Sequence, residues 1–573
     1  MSRRFRLLAL AVVLLSAGPV SAMVEPGATG STVVPIDPEP AAGAAPAVDS
    51  NASAVEIAAV YPNPVADGDR GEFVVLDVPA GTDLGQYRIG DADGSLAPAN
   101  ATVGGRVAVT AEPEPVRNLS DLRVVGAAGS VALANGGGRV VVSRDNETVA
   151  TARYREAPEA ELGRFDRRGA LVWTPLGRTD RPVVTATGGD VRAFVLPDAP
   201  GVPLGVLRAA DDRILLAGYS FSSERVARTL ERAADRGVDV RVLLEGSPVD
   251  GLSRRQARLL DSLVDAGVSV QLLDGPRGRY AYHHPKYAVA DDRAVVLTEN
   301  WKPSGTGGRS SRGWGVVVDQ QAIVDGLVET FRADADWPAA KPWTVARQGR
   351  SFRAGSVANG SYPQNLAPET VAVERTRLLV APDNAGAAVT EALDGADESI
   401  DVIQMSIDGP DQRFLRATVR AARRGVEVRV LLSGAWYVEE ENRRLVERLR
   451  DRADSEGLPV EAKLAEPGGD FEKIHAKGAV IDGEEVLVGS LNWNGESIRQ
   501  NREVVLALEG EAAGTYYEDA FERDWGESGP SLPVGIVAGV AGCLVVAGLV
   551  ARRIEFGERV GVGGEAEGMD RRV

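Results

Sequence analysis

The 573-residue chain is poor in the side chains that most catalytic and structural chemistry uses. It has three histidines, one cysteine and six lysines, the last against 58 arginines. The lone Cys543 excludes an intramolecular disulfide and any cysteine cluster for metal. Positive charge is nearly all arginine and is outweighed by acid, giving a net charge of −18 and a pI near 4.9. An acidic, lysine-poor surface rich in Ala, Gly and Val points to a halophilic setting. At roughly molar salt the Debye length is about 3 Å, so repulsion within such a surface is screened. The same screening weakens steering of nucleic acid by basic patches, and acidity says little against a polyanionic substrate.

Scarcity makes placement informative. All three histidines fall in one short pattern written twice: His283-His284-Pro285-Lys286 with Asp291, and His475-Ala476-Lys477 with Asp482. Both copies read H-x-K-x4-D, the spacing selecting His284 over His283. With six lysines in 573 residues, a lysine two places after a given histidine arises by chance about once in a hundred, and an acid at the last position about once in seven. Two such coincidences point to catalysis rather than to polar residues at strand ends.

The two ends suggest export and anchoring. Arg3, Arg4 and Arg6, the apolar run Leu7–Leu15 and the small residues before Met23 form the plan of a signal peptide over 1–22. An uncleaved N-terminal anchor is the alternative, although the run is short of the ~20 residues needed to span. Leu532–Ala551 is uncharged, long enough to cross a bilayer, and followed by Arg552-Arg553. The positive-inside rule then puts tail 552–573 in the cytoplasm and the rest outside. Five N-x-S/T sequons, at Asn51, Asn100, Asn118, Asn146 and Asn359, lie on that outer side.

Between the ends, residues 23–54 read as a flexible linker rich in Pro, Ala and Gly. From 55 to 155, short β-type runs broken by turn signals imply a small immunoglobulin-like β-sandwich. The remainder is a tandem repeat. Ala233–Leu244 returns as Ala421–Leu432, displaced by 188, and the histidines are displaced by 191. Each passage reads as amphipathic helix, C′ glycine and β-branched strand, so two α/β domains are expected at 191–337 and 376–527, with 338–375 as connector.

The doubled motif and its flanks resemble the phospholipase D superfamily, whose signature is H-x-K-x4-D followed by G-S-x-N. The second copy matches in full through Gly489, Ser490 and Asn492, then Asn501 and Glu503. The first copy continues as Thr298-Glu299-Asn300-Trp301; Thr298 matches Ser490 and Asn300 matches Asn492, but nothing acidic matches Glu503, where the chain reads Arg312-Gly313-Trp314. Separately, "VYPNP", "GEFVVL" and "LANGGGRVVVSRD" resemble the lamin-tail-type domain appended to secreted prokaryotic proteins.

The first resemblance implies that both half-sites meet in one pocket of a single chain, so a monomer suffices. It implies His284 as nucleophile and His475 as acid and base, with Lys286 and Lys477 holding the non-bridging oxygens. Thr298, Asn300, Ser490 and Asn492 would add hydrogen bonds to substrate, Glu503 would orient an imidazole, and Asp291 and Asp482 would complete the motifs as buttresses. No metal or other cofactor is implied, although a site of carboxylates alone stays open. The substrate is a phosphodiester, either a phospholipid, favoured by the anchor, or a nucleic acid, favoured by the sandwich. Neither repeat shows an extended apolar segment for lipid insertion or a basic–aromatic stretch for stacking nucleotides. The altered first copy leaves one further alternative, a surface binding protein with a decayed site.

Overall fold

The computed structural model describes residues 54–526, apart from 65–69, 92–93, 120–121, 167, 250 and 274–278. The expected signal peptide, nearly all of the linker, the expected span at 532–551 and the tail lie outside the described residues. No helix among the described residues is long and apolar enough to cross a membrane.

The N-terminal region is all-β, as its period-two alternation requires. Glu56–Tyr61 and Glu147–Arg155 are distant in strand order yet pack together, so the ten-stranded sheet folds over a core that includes Val60, Leu76, Ile89, Val107 and Val142. The region extends past the expected end at 155. Glu161–Phe165 pairs with Glu56–Tyr61, and Leu171–Pro175 pairs with Glu161–Phe165. Gly163 and Arg164 interrupt the apolar alternation that would have revealed the first of these strands.

Each repeat builds a mixed sheet around three parallel strands. In the first these are Arg213–Gly218, Asp239–Glu245 and Ser269–Leu273, continued by antiparallel Tyr287–Ala290, Arg293–Leu297 and Ser311–Val318. In the second they are Ser399–Gln404, Glu427–Leu432 and Val460–Leu464, continued by Lys477–Ile481, Glu485–Gly489 and Glu503–Glu509. The expected C′ glycines follow helices Glu224–Asp235 and Arg413–Arg424: Gly237 and Gly425 have φ of +94° and +105°, where a Cβ would be strained.

The sheets exchange edges. Val184–Thr187, ahead of the first repeat, pairs with Arg375–Ala381 of the second. Glu369–Ala372 pairs with Asp190–Leu196 of the first, and Ala340–Pro342 with Ser269–Leu273. Segment 338–375 is therefore part of the first repeat's sheet as well as a connection. One core unites both repeats, with Tyr287, Trp314 and Phe331 packed alongside Leu506, Tyr517 and Phe521. Gly478 makes the closest approach possible, since a Cβ there would lie 2.4 Å from the Trp314 ring.

The sequence just before each motif histidine hydrogen-bonds to the other repeat. The His475 N–H donates to the Arg312 carbonyl at 2.9 Å, and the His284 N–H to the Arg502 carbonyl at 3.0 Å. Both arginine side chains are buried between two acids, one from each repeat. Arg312 lies between Asp198 and Asp524, and Arg502 between Asp383 and Asp334. Removing one partner of either cluster would leave a buried charge uncompensated, so each cluster ties one repeat to the other.

Candidate active site

Residues two apart on an extended backbone share a face, so each histidine and its lysine enter together. Lys286 Nζ donates to the His284 carbonyl and Lys477 Nζ to the His475 carbonyl, both at 2.7 Å. Lys286 is fully buried and Lys477 nearly so. Five residues beyond each lysine the chain turns through an aspartate in the left-handed region, Asp291 at φ +54° and Asp482 at φ +53°. Asp291 accepts backbone N–H from Asp211, Asp212 and Arg213, and Asp482 from Asp397, Glu398 and Ser399. Each aspartate thus ties a turn to the start of a parallel strand. A four-residue strand of about 13 Å separates it from the lysine. The structure does not bring either aspartate to the centre: of the motif residues these two tie turns and do not reach the catalytic groups, the buttress role that the resemblance implies.

The histidines converge, each met by a carboxylate of the opposite repeat. His284 Nδ1 lies 2.8 Å from both oxygens of Glu503, whose Oε1 also accepts from Asn501 Nδ2 at 3.2 Å. His475 Nδ1 lies 3.3 Å from Glu299 Oε2, 3.2 Å from the Thr298 carbonyl and 3.2 Å from Lys477 Nζ. Glu299 is buried and was missed in the sequence.

The register explains why. Ser490 N–H donates to the Val504 carbonyl and Ser490 Oγ accepts from Val504 N–H; Thr298 makes the same two bonds with Trp314. The strand position equivalent to Glu503 is therefore Gly313. A Cβ on Gly313 would lie 2.2 Å from Glu299 Cγ, so the glycine leaves the space that the Glu299 side chain fills. Nothing acidic stands at the position that matches Glu503, as the sequence reads, but the first copy supplies its carboxylate from Glu299 instead. The available signal was a glycine at 313 together with an acid at 299, where the second repeat has Leu491.

The other expected residues divide. The Thr298 and Ser490 hydroxyls are engaged with the adjacent strand's backbone, latching strand to strand. Asn300 and Asn492 are more available, each with a buried Oδ1 that has no hydrogen-bond partner among the described residues. Trp301 and Trp493 belong to the two apolar cores, and Trp301 Nε1 donates to the Ala217 carbonyl. His283 sits away from the centre, its Nε2 3.4 Å from Asp334.

Burial dominates the electrostatics. It holds His284 and His475 well below the usual histidine range, with Lys286 and Lys477 adding to the effect on both. It lowers Lys286 strongly and Lys477 to about 8, and raises Glu299 and Glu503 each to about 7. The charge of His284 also acts on His475, as expected of a shared centre. Burial thus disfavours the charged form of all six groups, and an anion beside them would favour the ammonium and imidazolium forms.

Two α/β repeats that pool one His–Lys pair each at a common centre define a tandem phospholipase D-like unit. Residues 204–337 and 389–525 match the family described as "Cardiolipin synthase, PLD-like domain", and these two repeats are phospholipase D-like domains. The chain is similar to the mitochondrial cardiolipin hydrolase of Xenopus laevis, 29% identical over 149 residues, 26% of this chain and 65% of that protein. It is also similar to the corresponding protein of Canis lupus familiaris, 39% identical over 62 residues, 11% of this chain and 24% of that one. It therefore spans less than two-thirds of either relative's length. Among solved structures, the phosphatidylserine synthase of Haemophilus influenzae Rd KW20 is 13% identical, covering 57% of this chain and 84% of that one at a TM-score of 0.45.

Proposed function

We propose that the chain hydrolyses a phosphodiester through a phosphohistidine. His284 Nε2 attacks phosphorus, and its N–P bond forms as the bond to the leaving oxygen breaks. His475, as imidazolium, gives that oxygen its proton. The neutral His475 then takes a proton from water, whose oxygen displaces His284 from phosphorus and restores both rings. Lys286 and Lys477, with Asn300 and Asn492, hold the non-bridging oxygens. Glu299 positions His475 as Glu503 positions His284.

One observation carries the assignment. The Glu503 carboxylate at 2.8 Å fixes the proton on Nδ1 of His284 and leaves the Nε2 lone pair for attack. A phospholipid substrate is supported by the name cardiolipin hydrolase borne by the curated relatives. The expected anchor at 532–551, with both repeats outside the cell, supports it too. In this reading the lamin-tail-type sandwich is a spacer that braces the site, its Glu161 paired with Arg499 three residues before Arg502.

The test is turnover of phosphorus-radiolabelled bis(p-nitrophenyl) phosphate by the full chain in chelator, followed by alkaline denaturation to trap a label that is stable to base and lost in acid, as an N–P bond requires. Phosphate on His284 is expected. Labelling of His475 instead would reverse the roles, and a strict requirement for added metal would refute the mechanism.

A further inference from the structure

Resting on the proposed anchor, we infer that the rim of this site seats on an anionic bilayer surface. Apolar tips enter the interface and a cationic hollow takes phosphate groups beside the scissile one.

The parallel strands Asp239–Glu245 and Glu427–Leu432 are equivalent, and the loops after both expose apolar side chains. Val249 is 78% exposed, Trp436 87% and Tyr437 40%. Val249 also lines a cavity of about 440 Å³, together with Val357, itself 45% exposed. Single exposed apolar residues are ordinary, but two lining one mouth with an exposed aromatic pair beside its Lys473 are not.

The hollow they surround is cationic in a chain of net charge −18. Arg255, Lys302, Arg353 and Lys473 line it, with Glu472 as its carboxylate. Arg255 is partly committed, pairing with Glu224 at 2.9 Å. Two of the six lysines in the chain, Lys302 and Lys473, thus line this hollow, and the charge of Lys302 acts on Lys286 and that of Lys473 on His475 at the adjoining centre. The cavity adjoins the centre through Tyr219, whose ring centroid is 4.7 Å from that of His284. Its far side reaches the aromatic tip, where Lys473 Nζ is 5.0 Å from the Tyr437 ring.

The exit of the chain points the same way. The last described helix, Glu511–Trp525, ends beside the site: Asp524 pairs with Arg312, next to the segment that carries His475. The Trp525 ring is 4.0 Å from Lys463 Nζ, at the end of the parallel strand Val460–Leu464. Five residues then separate Gly526 from Leu532, where the expected span begins, a reach of about 20 Å at most. An anchor there holds the mouth, rather than the back of the repeats, near the headgroups.

A nucleic-acid strand would also suit the cations and the aromatic pair. It gives no role to Val249 and Val357, which cannot stack on a base but gain from an apolar layer. Tyr and Trp at the boundary and lysines on anionic lipid are the pattern of an interfacial surface.

All eight tryptophans of the chain lie in the described residues, and Trp436 is the exposed one among them. The full chain is reconstituted in phosphatidylcholine–phosphatidylglycerol vesicles carrying acyl-brominated lipid. Bromolipid should quench the emission, and Trp436→Phe should remove more than half of the quenching. Lys302→Gln with Lys473→Gln should remove the excess quenching seen in anionic over purely zwitterionic vesicles. Val249→Asp should weaken interfacial engagement about tenfold, as expected for loss of one buried aliphatic side chain. Absence of quenching, or equal quenching of Trp436→Phe, overturns the inference. So does a Trp436 response to a single-stranded oligonucleotide but not to lipid. No turnover is read, so a silent active site does not mask the result. Failure of the chain to remain with vesicles at all overturns the anchor and the docking together.

Discussion

In the second repeat the carboxylate that meets the opposite histidine rises from the first residue of a strand, Glu503. In the first repeat the matching strand position is Gly313, and the carboxylate comes instead from Glu299, on the segment leading away from the neighbouring strand. The two arrive at comparable places because each deletion is matched by an addition: the glycine has no side chain, and the glutamate stands where the other repeat has leucine. What the centre requires is a carboxylate in space, not at a position in a motif. The two solutions are not equally tight. Glu503 spans Nδ1 of His284 with both oxygens and is itself held by Asn501. Glu299 shares Nδ1 of His475 with the Thr298 carbonyl, and its Oε1 has no hydrogen-bond partner among the described residues.

The largest expected effect tests whether the repeats form one catalyst. His284→Ala and His475→Ala should each lower kcat by about a thousandfold or more, whereas His283→Ala should retain most turnover. Substantial activity in either motif variant would separate the half-sites.

A smaller effect should expose the asymmetry. Glu503→Gln is expected to lower kcat/KM by about a hundredfold and Glu299→Gln by about tenfold, the range typical of residues that orient a reacting group. Equal losses would mean that the looser geometry has no energetic meaning.

The relocation itself can be reversed. Gly313→Glu alone should clash with Glu299 and destabilise the fold by about 1–3 kcal/mol, measured by urea unfolding. Combined with Glu299→Leu, it should restore stability and raise kcat/KM above that of Glu299→Leu alone. If the pair behaves as the sum of the singles, the positions are uncoupled.

The mildest test is pH. Burial raises both glutamates to about 7 and lowers Lys477 to about 8. A protonated glutamate no longer accepts from Nδ1, and a neutral lysine no longer holds an anion. The kcat/KM profile should therefore fall below pH ~7 and above pH ~8. In Glu299→Gln the acid limb should become shallower, since one of its two carboxyls is gone; an unchanged limb would assign it to Glu503 alone.

The sequence carried the tandem repeat, the His–Lys pairs and the helix–glycine–strand passages, because each leaves a local or periodic trace. Glu299 left only a faint one, an acid where the other copy has Leu491 beside a glycine at the Glu503 position: its partner lies 176 positions away, and the strand register is what joins Gly313 to Glu299. Spacing alone cannot tell a residue that touches substrate from one that ties a turn; for Asp291 and Asp482 the backbone bonds decide it. The same holds for Thr298 and Ser490, whose hydroxyls serve the neighbouring strand. Trp301 and Trp493 are core residues, an outcome no pattern distinguishes from pocket lining. The exchanged edge strands Val184–Thr187 and Glu369–Ala372 are four residues each, and their partners, Arg375–Ala381 and Asp190–Leu196, lie nearly two hundred positions away in the chain.

The backbone bonds that join the His284 segment to Arg502, and the His475 segment to Arg312, have a consequence for the gene. Neither half can be excised as a working module, because each supplies the template on which the other's histidine is set. A fragment ending after the first repeat would carry two orphaned edges and would be expected to recruit a second copy of itself.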